Sequence, residues 1–328
     1  MSRSNPAEDW RPACSLDTLR RRARMLAAIR AYFAAQDVLE VETPLLCQGI
    51  GTDPHLEFLP VPQASGEPRY LQTSPEFAMK RLLAAGSGSI YQICKAFRGH
   101  ESGRLHNPEF TILEWYRVGC DLDGLMDDME ALLGRIAEGR LNAATTRRVA
   151  YREVFLEYAG VEPLDGTFEE LAACAVRHGV PEAAELCGED RSLWLDLLFS
   201  VAVQPQLGRD GLCFVYDYPA CQPSLARAKP GDGRWVERVE LFWRGVELAN
   251  GFHELADAAE QAARFEAERQ ARREQRLPVP EADGRLLAAL THGLPDCSGV
   301  AIGLDRLLML LADAGHIDEV LAFPHTRA

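Results

Sequence analysis

The 328 residues carry 47% hydrophobic and 26% charged side chains, enough for one large core or two modest ones, which excludes a disordered chain. A net charge of -14 and an isoelectric point near 5.1 exclude general electrostatic wrapping of nucleic acid, leaving only a local basic patch open. The longest apolar run, Leu307 to Ala312, is far short of the roughly 20 residues of a membrane helix, no secretory h-region opens the chain, and nine cysteines fall singly without a C-x-x-C pair, so a cytoplasmic protein with reduced thiols and no membrane partner is expected.

Residues 1–15 read as a flexible tail. Asp17 or Thr18 can then cap a helix in which Leu19, Ala23, Leu26, Ile29 and Phe33 share a face, while Arg20, Arg21, Arg22, Arg24 and Arg30 form a solvated face or a binding surface. "VLEVETPLL" alternates Leu39, Val41 and Thr43 against Glu40 and Glu42 until Pro44, which predicts a strand. A Gly/Pro/Asp-rich loop, a helix from Pro75 and a strand near "SIYQICKAFR" follow, and residues from about 121 to 230 read as a helical insertion with loops. Strands return at 235–250, a helix spans about 254–276, and a strand, a glycine and a helix end the sequence. This order lacks regular βαβ alternation, so an α+β fold is expected, with an antiparallel sheet flanked by helices.

Neither a P-loop nor a dinucleotide fingerprint is present, so any phosphate must be held by arginines. "HELAD" has Asp257 where a zinc-protease helix needs its second histidine, and "DLDGLMDDME" lacks the spacing of a calcium loop. "FRGHESGRLHNPEFTILEWYR", by contrast, sets Arg98, Arg104, Arg117, His100, His106 and three glutamates among core-forming apolar residues. Charge beside a core is costly unless each group has a partner or a ligand, so a charged ligand is expected here.

In "RVELFWRGVELANGFHEL" a two-residue turn at Arg244-Gly245 would pair Trp243 with Val246, Phe242 with Glu247 and Leu241 with Leu248. Glu240 and Glu247 then become diagonal neighbours, which suits either solvated acids on an exposed hairpin or a hard cation such as Mg²⁺, and Glu254 is placed to accept an ammonium. In "SGVAIGLDRLLMLLADAG", Gly303 joins a strand to a helix whose first turn contains Arg306. A cation there opposes the helix dipole, which points to an anion nearby.

These stretches resemble the class II aminoacyl-tRNA synthetases. "VLEVETP" is similar to their motif 1, "FRGHESGRLHNPEFTILEWYR" to motif 2 and "GVAIGLDR" to motif 3, while "TSPEFAMKRL" and "ELANGFHEL" resemble the lysyl enzymes in particular, over about residues 16–328. Motif 1 begins by Val38, which leaves no room for the N-terminal anticodon-binding barrel of lysyl-tRNA synthetases. Ser74-Pro75-Glu76 and Ala301 replace an alanine and a glycine of those enzymes. Both departures resemble the lysyl-tRNA synthetase-like paralogues that lysylate elongation factor P. A third departure is Arg98-Gly99-His100 where the family has Arg-x-Glu, with Glu101 one place later.

The resemblance implies one class II catalytic domain, ATP and Mg²⁺ as cofactors, activation of (R)-β-lysine as an adenylate, and its transfer to a lysine of elongation factor P. It implies that Arg98 braces the α-phosphate and the attacking carboxylate, and that Arg306 holds the γ-phosphate and covers adenine against Phe110. Gly99, His100, Asn107, Glu247, Leu248 and Gly303 complete the nucleotide contacts. Glu240 and Glu247 hold Mg²⁺. Ser74, Pro75, Glu76, Glu114, Tyr116, Asn250, Glu254 and Ala301 line the amino-acid pocket. A homodimer built on motif 1 and no stable tRNA binding are also implied. Two other readings stay open at this point: a minimal lysyl-tRNA synthetase acting on tRNA, and a catalytically silent regulatory paralogue.

Overall fold

The computed structural model describes residues 10–64, 66, 69–137, 139–141 and 143–328. Its elements run α1 (Leu16–Ala34), β1 (Leu39–Glu40), β2 (Leu46–Cys47), β3 (Pro60–Val61), β4 (Arg69–Leu71), α2 (Glu76–Ala84), β5 (Ile90–Phe97) and β6 (Glu109–Val118). There follow α3 (Leu122–Ile136), β7 (Arg147–Ala150), α4 (Tyr151–Ala159), α5 (Phe168–Arg177), α6 (Ala183–Cys187), α7 (Arg191–Leu198) and β8 (Leu212–Pro219). The last elements are β9 (Trp235–Trp243), β10 (Val246–His253), α8 (Ala258–Glu274), α9 (Gly284–His292), β11 (Cys297–Gly303) and α10 (Leu304–Leu311). The chain forms two compact units. The first comprises the chain up to Gly119 with Ala256–Asp296 and Ala301–Ala328; the second comprises Cys120–Leu255 and Cys297–Val300. Among the described residues no helix is long and apolar enough to cross a membrane.

In the first unit β5 and β6 pair antiparallel from Ile90↔Tyr116 to Phe97↔Glu109, and β1 joins β5 in parallel. Because side chains alternate across a strand, Leu113 and Trp115 face one side while Phe110, Ile112, Glu114 and Tyr116 face the other. The first side is apolar core: the Phe33 ring of α1 stacks on Tyr91 at 4.4 Å and meets Trp115 at 5.5 Å. Ser15, not Asp17 or Thr18, caps α1, and the buried face of this helix consists of Met25, Ile29, Tyr32 and Phe33, with Ala23 exposed. Arg22 departs from the expected solvated face and bonds the buried Asp305 carboxylate at the start of α10, whose other oxygen accepts the Thr111 amide at 2.7 Å. That carboxylate ties α1, β6 and α10 together. Residues 1–9 of the expected tail lie outside the described residues; Ala13 and Cys14 donate backbone hydrogen bonds to Ala322 and Leu321. Only Leu39 and Glu40 of the "VLEVETP" strand form a ladder.

The second unit orders its strands β11-β10-β9-β8-β7, antiparallel through β8, β9 and β10 with β7 parallel at the edge. The segment 121–230 therefore contains two strands besides its helices. Its core stacks Tyr151 on Phe155 and Phe199, with Tyr218 and Phe242 against the same aromatic group. The turn at Arg244-Gly245 forms as expected, with φ of 52° and 72°, the left-handed pair that matches strand twist. Trp243 pairs with Val246 and Phe242 with Glu247, but the ladder then slips: Leu241 faces Ala249 rather than Leu248, and Glu240 faces Asn250. The expected Leu241–Leu248 pairing is thus replaced by a β-bulge, which inserts one residue and re-aims the side chains around it.

Two glycines test this packing in opposite directions. A Cβ on Gly251 would lie 2.9 Å from the Gly299 carbonyl oxygen and from Val300 Cβ, whereas one on Gly303 would meet nothing nearer than Arg306 Cδ at 3.9 Å. Gly251→Ala is expected to lose about 1–3 kcal/mol in denaturant unfolding through forced separation of β10 and β11, and Gly303→Ala to leave stability within about 0.5 kcal/mol.

Candidate active site

The first unit gathers the acidic half of motif 2. Glu114 is 2% exposed, and each of its oxygens accepts one hydroxyl: Ser74 Oγ at 2.7 Å and Tyr116 Oη at 2.7 Å. Ser74 Oγ also accepts the Glu76 amide at 3.0 Å at the start of α2, where Pro75 occupies the cap position. One turn along that helix Lys80, itself 1% exposed, donates to Glu76 at 2.6 Å. Burial, followed by the neighbouring charge of Glu76, pushes the Glu114 carboxyl up to about 7, against the pull of the two hydroxyls and Lys80. Ser74, Pro75, Glu76, Glu114 and Tyr116 are therefore brought together as expected. Lys80 was not anticipated, although its position one turn after Glu76 in "EFAMK" is the spacing of a helical ion pair.

The basic half lies at the far end of the same strand pair. Arg98 places its guanidinium over the Phe110 ring at 5.1 Å, stands 3.7 Å from Glu101, and has its Nε buried without a hydrogen-bond partner among the described residues. Arg306, at the start of α10, reaches the Leu105 carbonyl at 3.3 Å and His106 Nε2 at 2.5 Å. Gly99 donates its amide to the Glu57 carbonyl, and the Glu57 carboxylate fills the space a side chain there would need, 2.8 Å from an ideal Cβ. His100 adopts a φ of 55°, is exposed, and lies 2.7 Å from Glu57. Asn107 is buried and turned toward the protein, donating to the Glu109 carbonyl at 2.6 Å and accepting from the His325 amide at 3.0 Å. Ala301 and Gly303 sit two apart on β11, both half-buried, with Ile302 in the core. Glu57 and His325 carried no sequence signal, because their partners are distant along the chain.

In the second unit Glu240 is 9% exposed and accepts Tyr218 Oη at 2.7 Å and a guanidinium N–H of Arg238. Arg238 lies over the Tyr218 ring at 4.5 Å and donates to Asn250 Oδ1 at 3.1 Å, so Glu240 and Asn250, opposed across the strands, share one cation. Burial raises the Glu240 carboxyl above the usual range, Arg238 opposes this, and the Glu247 charge adds to it. Leu248 is buried at the bulge, and Glu254 is 4% exposed with its amide bonded to the Cys297 carbonyl. Arg238 was visible two residues before Glu240 but unread as its partner. Among the described residues no cluster of three or more His, Cys, Asp or Glu is arranged to hold a metal ion.

The Glu114 environment has a measurable consequence. The folded protein holds this proton up to about pH 7, while an unfolded glutamate releases it near 4.5, so Glu114 stabilises the fold at low pH and that contribution is lost as pH rises through about 7. Between pH 4.5 and about 7 the wild-type melting temperature is expected to fall relative to that of Glu114→Gln. Thermal unfolding of both proteins across pH checks this, and parallel curves would refute it.

Residues 4–327 match the family model described as tRNA synthetases class II (D, K and N). Curated relatives similar over nearly their whole length include proteins named elongation factor P–(R)-β-lysine ligase. That of Vibrio cholerae is 49% identical over 98% of this chain and 99% of its own; that of Vibrio parahaemolyticus is 49% identical over 96% and 98%. A ligase of the same name from Yersinia enterocolitica is 47% identical over 97% of this chain and 98% of its own. The hairpin carboxylates, Arg98 and Arg306, and the buried Ser74–Glu114–Tyr116 cluster therefore occur in a chain that belongs to the class II tRNA synthetase family of the D, K and N group.

Proposed function

We propose that this protein is an ATP-dependent ligase that activates (R)-β-lysine and transfers it to a lysine side chain of elongation factor P. The reading is carried by the near full-length likeness to ligases of that name: this chain and the Vibrio cholerae protein differ at about half of their aligned positions, and the alignment covers 98% of one and 99% of the other. In the first step the β-lysine carboxylate attacks the α-phosphorus of ATP, the α–β anhydride bond breaks, and pyrophosphate leaves. In the second the acceptor amine attacks the adenylate carbonyl, AMP leaves, an amide forms and the amine loses its proton. Class II enzymes use ATP in this way; the work left to the protein is positioning and charge neutralisation.

Arg98 braces the α-phosphate and the attacking oxygen. Its unmet Nε donor and planar fork suit an incoming anion. Arg306 holds the γ-phosphate and covers the base with Phe110 opposite, and the open space over Gly303 leaves the strand-to-helix junction free for the nucleotide. Gly99 and His100 shape the turn beside Arg98, Asn107 fixes that turn through His325, and Leu248 completes the nucleotide contacts. Glu240 and Glu247, close enough that the Glu247 charge acts on the Glu240 carboxyl, are a hard donor pair of the kind Mg²⁺ uses when it keeps several waters and takes its other ligands from phosphate, and they would hold that ion once Arg238 releases its Glu240 oxygen. Bound there, Mg²⁺ supplies neutralisation of phosphate charge. Ser74, Pro75, Glu76, Glu114, Tyr116, Asn250 and Glu254 receive the amino acid, and the Ala301 methyl disfavours an α-amino group relative to a β-amino group. Free thiols at all nine cysteines suit a cytoplasmic location. Exposed Leu39, Leu45 and Leu46 around motif 1 suit a homodimer contact.

Pyrophosphate exchange and acceptor labelling test this reading together. Exchange is expected with (R)-β-lysine in preference to α-lysine, and label is expected on elongation factor P rather than on tRNA. Arg98→Ala and Glu247→Gln should each reduce exchange about 10²–10³-fold in folded protein, while Arg306→Ala should act mainly on the ATP KM. Labelling of tRNA alone would return the chain to the minimal synthetase reading, and absence of exchange by wild type to the regulatory one.

A homodimer predicts about twice the 36.3 kDa chain mass by light scattering at micromolar concentration, and Leu46→Glu is expected to shift it toward one chain.

A further inference from the structure

Gln92 lies in β5 and is 3% exposed. In the β5–β6 register it is directly opposite Glu114, so the two side chains leave the sheet on one face. Its amide bonds the Cys94 sulfur, which also accepts Gln72 Nε2 at 3.3 Å. Its Oε1, however, is shut off from solvent and has no hydrogen-bond partner among the described residues. Buried acceptors without donors are rare in folded proteins, and each calls for an explanation. Glu114 opposite accepts one hydroxyl on each oxygen and retains further lone pairs. Two acceptors facing each other across a strand pair are complementary to a group that donates several hydrogen bonds and accepts none. A primary ammonium has three donors and no acceptor; a water brings lone pairs of its own and no charge.

We infer that Gln92 Oε1 and the Glu114 carboxylate together receive the side-chain ammonium of the amino-acid substrate. This deepens the proposed amino-acid pocket and rests on it. Position along the strand selects which ammonium: Glu114 is four residues from Phe110 on β6, about 13 Å at the rise of an extended strand, and Arg98, where the reacting carboxylate is braced, lies over Phe110. With the Arg98 and Glu114 side chains reaching in from either end, the ammonium farthest from the reacting carboxylate is the one that comes to Glu114. A neutral amide at position 92 also suits the site, because a third carboxylate beside Glu114 and Glu76 would add repulsion to a group that burial already holds close to neutrality.

Calorimetric binding to the full chain tests the inference, with (R)-β-lysine, α-lysine and norleucine, which has a lysine-like chain but no side-chain ammonium, and with ATP as control. Gln92→Leu is expected to weaken both lysine isomers at least tenfold. Norleucine and ATP should stay within twofold, and the melting temperature should not fall, because the substitution removes an unmet acceptor. Gln92→Met, more adaptable in packing, should behave the same way. Unchanged lysine affinity in either folded variant would overturn the inference, as would equal losses for lysine and norleucine, which signify a collapsed pocket. Wild-type protein that binds neither lysine isomer would overturn the proposed pocket itself, and the inference with it.

Discussion

The register between β5 and β6 is the constraint on which the first unit depends. With Tyr91 opposite Trp115 and Gln92 opposite Glu114, alternation sends one set of side chains into the aromatic packing around Phe33 and the other set into a polar cluster. A slip of one residue would exchange the two sets, burying Glu114 against Phe33 and exposing Trp115. The penalty for burying an unpaired carboxylate in an apolar core makes that slip prohibitive. The same alternation that builds the core therefore also places Phe110, Glu114 and Tyr116 on one surface.

Several charges in this protein are held wholly or partly by neutral partners. Glu114 is held by two hydroxyls, Glu240 by a phenol and a guanidinium, and Arg272 by three carbonyls, of Pro278, Asp53 and Leu56. Hydroxyl and carbonyl partners satisfy hydrogen-bonding capacity without cancelling charge, so Glu114 and Arg272 keep much of their field for something else. Glu76 and Lys80 are instead a direct ion pair. Their ion pair inside α2 is closed on itself and serves to define the edge of the cluster.

The Asp305 carboxylate performs the corresponding task for the cationic end. It satisfies the Thr111 amide and Arg22 at once, which fixes the first turn of α10 against β6. Arg306 is the next residue, so its direction is set by a buried contact and not by the exposed loop it faces. Asn107 and His325 fasten the motif 2 turn from the other side, and Glu57 occupies the notch that Gly99 leaves open. Anchoring of this kind lets a loop with an exposed His100 carry an arginine in a defined place.

Local rules in the amino-acid sequence by themselves determined the Arg244-Gly245 turn, whose left-handed φ values need only those two residues, and the alternating strands and the glycine before α10. They also determined which residue types meet within one element, as Ser74 and Glu76 do. Tertiary structure alone decided the bulge that sets Glu240 against Asn250, the inward turn of Arg22 to a residue 283 positions away, and the contact of Asn107 with His325 across 218 positions. Sequence patterns report short-range preference, whereas these contacts depend on which surfaces pack together. The isolated acceptor of Gln92 belongs to the second kind: a glutamine in a strand is unremarkable until the neighbouring strand places a buried carboxyl opposite it and, among the described residues, no donor reaches its Oε1.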